Sequence, residues 1–481
     1  MEPREILRKY FGHDSFRKGQ EEIIKHVLNK KPGLVLMPTG SGKSLCYQIP
    51  ALIFNGGTIV VSPLIALMQD QVDALRKKNV PASFINSTVS KNERDKRLND
   101  FISGKIKLLY ITPERFRKTD FVEKIKTADI SLFAVDEAHC ISEWGHDFRP
   151  DYSRLGEFRS YLNDPPTIAL TATATADVQA DIAEKLRLDK DEFKIFHHGI
   201  ERPNLHLEAV DIFEDKDKQK AILSVLDNYP GSGIIYFSLI QTLEKFSQWL
   251  GDKGYKHGVY HGKLGDTERK RMQRDFLTNK QKIILATNAF GMGIDKPDIR
   301  FVIHAEMPSS IEAYYQEIGR AGRDGMPSTC VLLYNQEDLY TQMEFIKWSN
   351  PGSDFYYALY NLLKRDLEKV NSYGVDYLRE QMNFKNRKDF RIETALGMLD
   401  RYAVTEGSVE TKDLNIINDL PAELEDNERL KEKLLNNNKK LLSVVNYFKT
   451  EECRRIFISE YFGFRDEKPC GNCDNCTINL I

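Results

Sequence analysis

Met37-Pro-Thr-Gly-Ser-Gly-Lys-Ser44 is the stretch of sequence that decides the fold of this chain. It follows the short apolar run Leu34-Val35-Leu36, which is typical of a buried parallel strand, and residues 45–52 can form a helix after it. Gly40 and Gly42 lack a Cβ atom, so consecutive backbone N–H groups can turn inward onto phosphate oxygens. The succession of strand, glycine-bearing turn and helix predicts a phosphate-binding loop.

The last two residues of this loop carry its chemistry. The Lys43 ammonium can reach the β and γ phosphates of a nucleotide, and the Ser44 hydroxyl can ligate magnesium. The helix that begins after Ser44 adds its positive N-terminal end to the same site. The alternative is a Gly/Ser/Lys surface turn, since Pro38 stands where the longer phosphate-loop pattern has its first glycine.

Length and composition describe an ordinary globular protein. The 481 residues are 41% apolar and 29% charged, and this length predicts about three domains. The net charge is only −2, so any groove for nucleic acid must be a local basic surface. The N-terminus has no charged segment followed by an apolar one, and no apolar run approaches the length of a membrane span. We therefore expect neither a secretory signal nor a membrane partner.

Five apolar runs in the first part of the chain are each followed by a polar motif, and helical patterns separate them. The runs cover residues 34–36, 57–61, 106–111, 130–135 and 167–170, and the motifs after the last four begin at Ser62, Thr112, Asp136 and Thr171. This alternation predicts an open parallel α/β sheet. Ligands of such sheets bind beyond the carboxyl ends of the strands, where all of these motifs lie.

Asp136-Glu137 follows the fourth of these runs. A carboxylate at the end of a buried strand can hold magnesium, directly or through water, and a second carboxylate beside it can polarise a water molecule against the γ phosphate. A solvated acidic pair is the alternative. The phosphate loop in the same sheet favours the catalytic interpretation.

The loop that follows, residues 142–152, interleaves aromatic rings with an arginine. Trp144 and Phe148 could stack on bases, and a base stack contributes roughly 1–3 kcal/mol without regard to sequence. The alternative is that the two rings fill a gap in the core.

A second set of parallel strands is predicted after the interdomain linker at residues 197–204. The apolar runs cover residues 233–237, 255–261, 282–286 and 301–304. A glycine-bearing loop from Thr287 to Asp295 ends one strand, and Arg320 and Arg323 follow three residues apart, on one face if the segment is helical. This second domain lacks a phosphate loop, so we expect the two guanidinium groups to complete the site of the first domain across a cleft.

The C-terminal third is predicted to be mainly helical with a metal site at its end. Residues 359–370 and 392–399 have helical spacing ahead of a short β-like segment, which is typical of a winged-helix unit or of a plain spacer, and residues 423–440 predict a long amphipathic helix. The thiols of Cys453, Cys470, Cys473 and Cys476 match a closed tetrahedral zinc site, with a redox pair as the alternative. The other three cysteines, Cys46, Cys140 and Cys330, are scattered, as expected in a reducing compartment.

These motifs, in this order, resemble the RecQ family of superfamily-two DNA helicases. The resemblance runs from about Phe11 to Gly325 and returns from Cys453 to Cys476, and its most specific part is the aromatic loop directly after Asp-Glu-Ala-His139. The family implies two RecA-like lobes, here 1–203 and 204–335, which close on ATP. It also implies a zinc module at 411–481, after a helical region at 336–410. The chain ends at Ile481, so we expect a short form without the helicase-and-RNase-D-like C-terminal domain.

The resemblance also assigns nucleotide-binding roles, residue by residue. The catalytic set is Lys43, Asp136, Glu137, Arg320 and Arg323, with Arg323 as the arginine finger and with Ser44 and Asp136 holding magnesium. Arg17 and Gln20 would contact adenine, and His13 stands where relatives often carry a stacking tyrosine. Thr39, Gly40, Ser41, Gly42 and Asp295 complete the nucleotide-binding set.

The DNA contacts implied by the family lie at the strand ends and in the aromatic loop. Ser62, Thr112 and Thr287 would touch the DNA backbone, and Trp144, Phe148 and Arg149 would couple DNA occupancy to ATP hydrolysis. The resemblance thus implies a monomeric ATP-dependent helicase that moves 3′ to 5′ in repair or recombination. Its expected partners are single-stranded DNA, tailed duplexes and a single-stranded-DNA-binding protein. Its expected location is the bacterial cytoplasm, at the nucleoid, or otherwise a nucleus. An RNA helicase and a zinc-bearing DNA-binding scaffold with a vestigial ATPase are the alternatives.

Overall fold

The computed structural model describes residues 2–145, 147–189, 191–197, 202–291, 294–382, 389–464 and 468–478. The chain divides into two compact units. The first comprises Met1–Phe148, Tyr152–Asn335 and Tyr447–Ile481, and the second comprises Arg149–Asp151 and Gln336–Asn446. The sequence predicts that residues 411–446 belong to the zinc module, but this segment clusters with the helical region, and the boundary at residue 410 stays a prediction.

The first lobe is built on a seven-stranded, fully parallel sheet. Its strands are β1 Gly33–Leu36, β2 Gly57–Val61, β3 Ala82–Ile85, β4 Leu108–Ile111, β5 Ile130–Val135, β6 Thr167–Thr171 and β7 Lys194–His197. They are arranged in the order β3-β4-β2-β5-β6-β1-β7. The apolar side chains of alternate positions point to opposite faces, so that two separate core clusters cover the sheet.

Helices on both faces of this sheet supply the remainder of the two clusters. They are α1 Pro3–Ile6, α2 Gln20–Leu28, α3 Leu45–Ile53, α4 Ile65–Lys77, α5 Lys91–Ile102, α6 Thr119–Ile125, α7 Pro150–Ser153, α8 Leu155–Tyr161 and α9 Ala176–Lys185. A π-helical turn covers Leu7–Phe11, and 3-10 turns cover Pro113–Arg117 and Ala138–Ile141.

The second lobe repeats this architecture with six parallel strands. They are β8 Leu205–Asp211, β9 Ser232–Tyr236, β10 Gly258–Tyr260, β11 Ile283–Ala286, β12 Ile299–His304 and β13 Ser328–Tyr334. Their order is β10-β11-β9-β12-β13-β8. The helices are α10 Asp215–Asn228, α11 Ile240–Asp252, α12 Asp266–Leu277 and α13 Ile311–Ile318. Two parallel-sheet lobes in tandem confirm the predicted fold class.

The second unit is mainly helical, as predicted, and has its own core cluster. Its elements are α14 Gln336–Ser349, α15 Ser353–Tyr373, α16 Val375–Gln381, α17 Arg391–Arg401, β14 Thr405–Glu406, β15 Asn415–Ile416, α18 Ala422–Glu425 and most of α19 Asn427–Lys449. The β14 and β15 strands pair antiparallel directly after a helix, at the place where the sequence predicted a β-like segment. A winged-helix role for this unit stays a prediction.

The long amphipathic helix differs from its predicted bounds. It begins at Asn427 rather than at Glu423 and continues to Lys449. The side chain of Asp426 accepts hydrogen bonds from the N–H groups of Glu428 and Arg429, at 3.0 and 3.1 Å, so a new helix starts after it.

The zinc module closes the first unit with two short helices, α20 Arg454–Tyr461 and α21 Asp474–Ile478. Its cysteine-bearing end lies along strand β8, where Leu207 forms a parallel bridge with Cys473. In the described part of the chain, no helix has the length and apolar character that crossing a membrane requires.

Candidate functional site

The predicted phosphate loop lies between β1 and α3, as its sequence context requires. Gly40 and Gly42 have φ values of 77° and 83°, a region that favours glycine. A Cβ atom on Gly42 would stand 2.7 Å from Nε2 of Gln20, and one on Gly40 would stand 3.0 Å from Cγ of Arg323. Both glycines are therefore required by backbone conformation and by close neighbours.

Gln20 and Arg17 hold this loop in place. The buried Gln20 amide donates to the carbonyl oxygens of Ser41 and Gly42, at 3.1 Å each, and accepts from the N–H of Arg17 at 2.9 Å. The Arg17 guanidinium donates to the Gly40 carbonyl at 2.6 Å. The two side chains predicted to contact adenine thus brace the phosphate loop here, and their adenine contact stays a prediction.

Lys43 is folded back onto its own loop. Its Nζ donates to the carbonyls of Met37 and Pro38 at 3.0 and 3.4 Å. Burial lowers the pKa of Lys43, while the negative charges of Glu137 and Asp136 oppose that shift. The ammonium and the acidic pair therefore belong to one electrostatic site.

Asp136 and Glu137 occupy a strained turn at the end of β5. Glu137 adopts the left-handed conformation, with φ 49° and ψ 48°, and its N–H donates to Oδ1 of Asp136 at 3.1 Å. Burial, and then repulsion from Glu137, raises the pKa of Asp136 well above its usual range. The Oε2 atom of Glu137 is buried without a hydrogen-bond donor, 3.4 Å from Nδ1 of His139. Two carboxylates under these conditions fit a cation and its bound water.

A hydrogen-bonded link connects this acidic pair to the next strand. Nδ1 of His139 lies 3.0 Å from the hydroxyl of Thr171, which itself donates to the carbonyl of Thr173 at 3.1 Å. The Thr171-to-Thr175 motif that the sequence placed at a strand end is thus in contact with the acidic motif.

Arg320 and Arg323 extend from turns rather than from a helix. The sequence predicted that the two side chains share one face if their segment is helical. Helix α13 ends at Ile318, before both arginines, so they do not share a helical face. Arg320 donates to the Gly291 carbonyl at 2.5 Å. Arg323 donates to Oδ1 of Asp295 at 2.8 Å and to the carbonyl of Ile294 at 3.1 Å. Both arginines are therefore held by the loop that begins at Thr287.

The two lobes meet at the phosphate loop. The Thr39 hydroxyl donates to the Gly319 carbonyl at 3.0 Å, and a cavity of about 510 Å³ opens beside this contact. Ten of its lining residues were predicted or bear directly on the site: Thr39, Gly40, Gly42, Lys43, Ser44, Asp136, Glu137, Asp295, Arg320 and Arg323. The cavity is within the range of small-molecule sites, and cationic and acidic groups from both lobes face it.

Four further predicted residues do not line this cavity, and one of them is Gln20, which braces the loop as described above. Arg17 and Ser41 line a second cavity of about 300 Å³ on another side of the loop. His13 is exposed and, in the part of the chain that the structure describes, lines neither of these two cavities. The structure therefore brings the phosphate-loop, acidic and arginine groups together around one cavity, while Arg17 and Gln20 bond the loop without lining that cavity.

The four C-terminal cysteines converge on one point. Their Sγ atoms all lie within 4.8 Å of one another. The N–H groups of Cys470 and Asn472 donate to Sγ of Cys453 and Cys470, at 3.3 Å each. Burial opposes the ionisation of Cys453, but backbone N–H donors outweigh it and lower the pKa of this thiol. Four thiols with this spacing and these donors fit tetrahedral zinc.

Comparison with protein families finds three models that match successive parts of the chain. The model of the DEAD/DEAH box helicase matches residues 17–182, that of the helicase conserved C-terminal domain matches 217–325, and that of RecQ zinc-binding matches 411–477. A RecQ helicase of Synechocystis is 34% identical over 98% of this chain and 98% of its own length. The chain belongs to the RecQ family.

Other RecQ relatives are longer. ATP-dependent DNA helicase RecQ of Bacillus subtilis is 38% identical over 98% of this chain and 66% of its own length, and that of Pasteurella multocida is 37% identical over 98% and 62%. The chain therefore spans less than two thirds of the length of these two relatives.

Solved structures share the fold of the RecQ lobes. Dbp5 of S. cerevisiae, bound to RNA and ADP BeF3, superposes with a TM-score of 0.55 at 18% identity over 71% of this chain and 90% of its own. Lhr of Mycobacterium smegmatis, bound to single-stranded DNA and AMP-PNP, superposes with a TM-score of 0.55 at 18% identity over 86% of this chain and 60% of its own.

The predicted DNA contacts of this RecQ chain stand at strand ends, and the structure buries them. Each of the three predicted backbone contacts directly follows a strand: Ser62 follows β2, Thr112 follows β4 and Thr287 follows β11. Each is less than a tenth exposed. The Ser62 hydroxyl is buried without a hydrogen-bond partner. Their placement agrees with a common edge in each lobe, while their contact with DNA stays a prediction.

The aromatic loop is packed in this conformation. Phe148 is 8% exposed, and the half-buried Trp144 packs against a core cluster of the first lobe. Arg149 is half-buried directly before α7, and His146 lies outside the described residues. In this conformation the two rings fill space in the core, as the alternative interpretation predicted. To stack on bases, the rings would have to move out of these core contacts.

The sequence reasoning missed two residues of the site, Arg202 and Gln71. Arg202 was assigned only to a linker, yet its guanidinium reaches the phosphate loop, with 3.5 Å between Nη1 and the Thr39 carbonyl. Gln71 accepts hydrogen bonds from the hydroxyls of Tyr47 and Tyr110, at 2.7 and 3.1 Å, and so ties helix α3 to α4 and β4. Neither residue belongs to a motif with a known spacing, so only the tertiary contacts reveal them.

Proposed function

We propose that this chain is an ATP-dependent DNA helicase, which hydrolyses ATP between its two lobes and moves 3′ to 5′ along single-stranded DNA to unwind duplexes. The observation that carries the proposal is the cavity of about 510 Å³ that both lobes line, with the phosphate loop on one side and two arginines on the other. Relatives named ATP-dependent DNA helicase RecQ support the choice of DNA.

The nucleotide phosphates bind at the phosphate loop. Its backbone N–H groups and the Lys43 ammonium hold the β and γ phosphates, for which Lys43 gives up its bonds to the loop carbonyls. Ser44 and Asp136 would hold magnesium, which would supply positive charge beside the phosphate oxygens. Glu137 accepts a proton from the attacking water through its unpartnered Oε2 atom.

The arginines complete the site from the second lobe. Arg320 exchanges its bond to the Gly291 carbonyl for γ-phosphate oxygens. Arg323 likewise exchanges its bonds to the Ile294 carbonyl and the Asp295 carboxylate, since the γ phosphate carries more negative charge than either acceptor. The loop that carries these acceptors begins at the predicted DNA contact Thr287. An exchange of partners at the arginines therefore alters the loop that touches DNA, and this links hydrolysis to movement along the strand.

The proposal also covers the cellular role, the DNA substrates, the protein partner and the oligomeric state. We propose a role in repair or recombination, with single-stranded and tailed duplex DNA as substrates, a single-stranded-DNA-binding protein as partner, and a monomer as the active form. Structural zinc at the four C-terminal thiols completes the cofactor set.

One experiment tests substrate and direction together. Matched duplexes with a 3′ tail, a 5′ tail or no tail, in DNA and in RNA, are incubated with the chain and ATP, and strand release is measured. We expect release of the 3′-tailed DNA alone. Release of RNA duplexes would favour the RNA helicase, and DNA binding without ATP hydrolysis would favour the scaffold.

A further inference from the structure

The linker residue Arg202 is bonded to both lobes at the nucleotide cleft. Its Nη1 atom lies 3.5 Å from the Thr39 carbonyl and donates to the Gly319 carbonyl at 3.2 Å. Its Nη2 atom donates to the carbonyls of Ala321 and Gly322, at 2.5 and 2.9 Å. One guanidinium therefore joins the phosphate loop to the turns that carry Arg320 and Arg323.

The main chain of the same linker is held by the zinc module. The Arg455 guanidinium donates to the carbonyls of Arg202 and Leu205, at 3.3 and 3.1 Å. The Asn472 amide donates to the carbonyls of Pro203 and Leu205, at 3.1 and 3.3 Å. The linker thus has its side chain on the nucleotide cleft and its backbone on the zinc module.

The metal-binding thiols determine where these two donors stand. Asn472 lies between Cys470 and Cys473, and its own N–H donates to Sγ of Cys470 at 3.3 Å. Arg455 lies two residues after Cys453, in the first turn of helix α20. A neighbouring contact fixes the module on the lobe, because Asp474 accepts from the N–H of Ala209 at 2.9 Å.

Resting on the proposed function, we propose that Arg202 is a positioning residue for the ATP site and that the zinc module holds it there through Arg455 and Asn472. The guanidinium orients the carbonyls on either side of Arg320, and so sets where Arg320 and Arg323 stand relative to the phosphate loop. Its effect is therefore largest for a nucleotide with a γ phosphate, which both arginines reach.

The test compares an ATP analogue that is not hydrolysed with ADP. In the full chain with zinc bound, Arg202→Lys keeps the positive charge, but a single ammonium cannot bridge four carbonyls. We expect its affinity for the ATP analogue to fall about tenfold, the equivalent of one charged hydrogen bond, and its affinity for ADP to fall much less. Arg159→Lys is the matched control, since Arg159 donates to the carbonyls of Leu186 and Arg187 away from the cleft.

The zinc-module arm is tested with Asn472→Ala, whose side-chain amide does not bond the thiols. We expect unchanged zinc content, a melting temperature near that of the wild type, and a selective loss of ATP-analogue affinity about threefold in size. The double variant with Arg202→Lys should lose less than the product of the two single losses, because both act through one linker.

Two results would overturn the inference while leaving the proposed function intact. One is an equal loss of affinity for ADP and the ATP analogue in Arg202→Lys, which indicates a merely structural role. The other is wild-type discrimination in Asn472→Ala. A wild-type chain that binds neither nucleotide would overturn both proposals.

Discussion

Lys43 makes the same kind of contacts as a purely structural lysine elsewhere in the first lobe. Its ammonium donates to two backbone carbonyls, as does that of Lys107, which bonds the carbonyls of Phe54 and Asn55. What distinguishes Lys43 is the acidic pair that faces the same cavity. Function at this residue therefore depends on its neighbours and not on its own hydrogen bonds.

We expect Lys43→Ala to lower the rate of ATP hydrolysis by at least about a hundredfold, since the charge that stabilises the developing phosphate oxygens is removed. DNA binding, measured by fluorescence anisotropy, should be nearly unchanged. Lys107→Ala is the matched control and should retain ATPase activity. Equal ATPase rates in Lys43→Ala and the wild type would disprove the site.

Asp136 is stabilised poorly in the absence of a cation, because burial and the charge of Glu137 both raise its pKa. Asp136→Asn keeps an oxygen for the N–H of Glu137 and removes the buried charge. With chelator present and no nucleotide, we expect a melting temperature higher by about 2 °C together with loss of ATPase activity.

Asp275→Asn provides the contrast to that variant. Asp275 is equally buried but lies 3.5 and 3.6 Å from the cationic groups of Arg274 and Lys280, so its neutralisation should lower the melting temperature. A lower melting temperature in both variants would show that Asp136 is stabilised by its surroundings.

At the scale of elements, the rings of the aromatic loop after His139 have two roles, one in the core and one in the proposed binding of DNA. Trp144 packs on the core, and its proposed role is to stack on bases. We expect Trp144→Ala to lower DNA-stimulated ATPase activity about tenfold, in line with roughly 1–3 kcal/mol for one base stack, and to leave basal activity nearly unchanged.

Trp249→Ala is the matched control for the loop, since Trp249 is also half-buried and packs on the core of the second lobe. Its ratio of stimulated to basal activity should match that of the wild type. If Trp144→Ala lowers both rates in parallel, the ring is a core residue only. Phe148→Ala is less informative, because truncating a buried phenylalanine destabilises by about 3–5 kcal/mol.

The zinc module is the element that depends most on its ligand. Cys453 directly precedes α20, Cys470 and Cys473 lie between the two helices, and Cys476 lies in α21. A metal held by all four thiols therefore joins the two helices and supplies folding free energy there. Removal of zinc by a chelator should lower the melting temperature and reduce helical circular dichroism. An unchanged melting curve after verified zinc loss would contradict this expectation.

At the scale of the whole molecule, the proposed mechanism of ATP hydrolysis requires groups from both lobes. Arg323 belongs to the second lobe but lies so close to the phosphate loop that a Cβ atom on Gly40 would touch its side chain. We expect Arg323→Ala to lower the rate constant of hydrolysis about a thousandfold, as loss of an arginine finger does. Arg97→Ala, which breaks an ion pair within the first lobe, should leave the rate unchanged.

Several elements could be predicted from the sequence because local patterns determine them. Strands β2 and β5 begin and end where their apolar runs do. Strands β3, β7, β8 and β13 were missed. Three of these, β3, β7 and β8, lie at the edges of their sheets, where a short or half-polar segment gains its pairing only from a distant strand.

The sequence by itself determined the identity of the chemical groups: a phosphate loop, an acidic pair at a strand end, two arginines and four thiols. These follow from residue type and local spacing, which the chain encodes directly. Only the tertiary structure decided that Thr39 contacts Gly319, that Gln20 braces the loop, and that Arg202 joins the cleft to the zinc module. Such contacts join residues more than a hundred positions apart or pass through backbone carbonyls, which carry no sequence signal. Which residues meet in such contacts depends on how the folded elements pack against one another and not on the local sequence pattern.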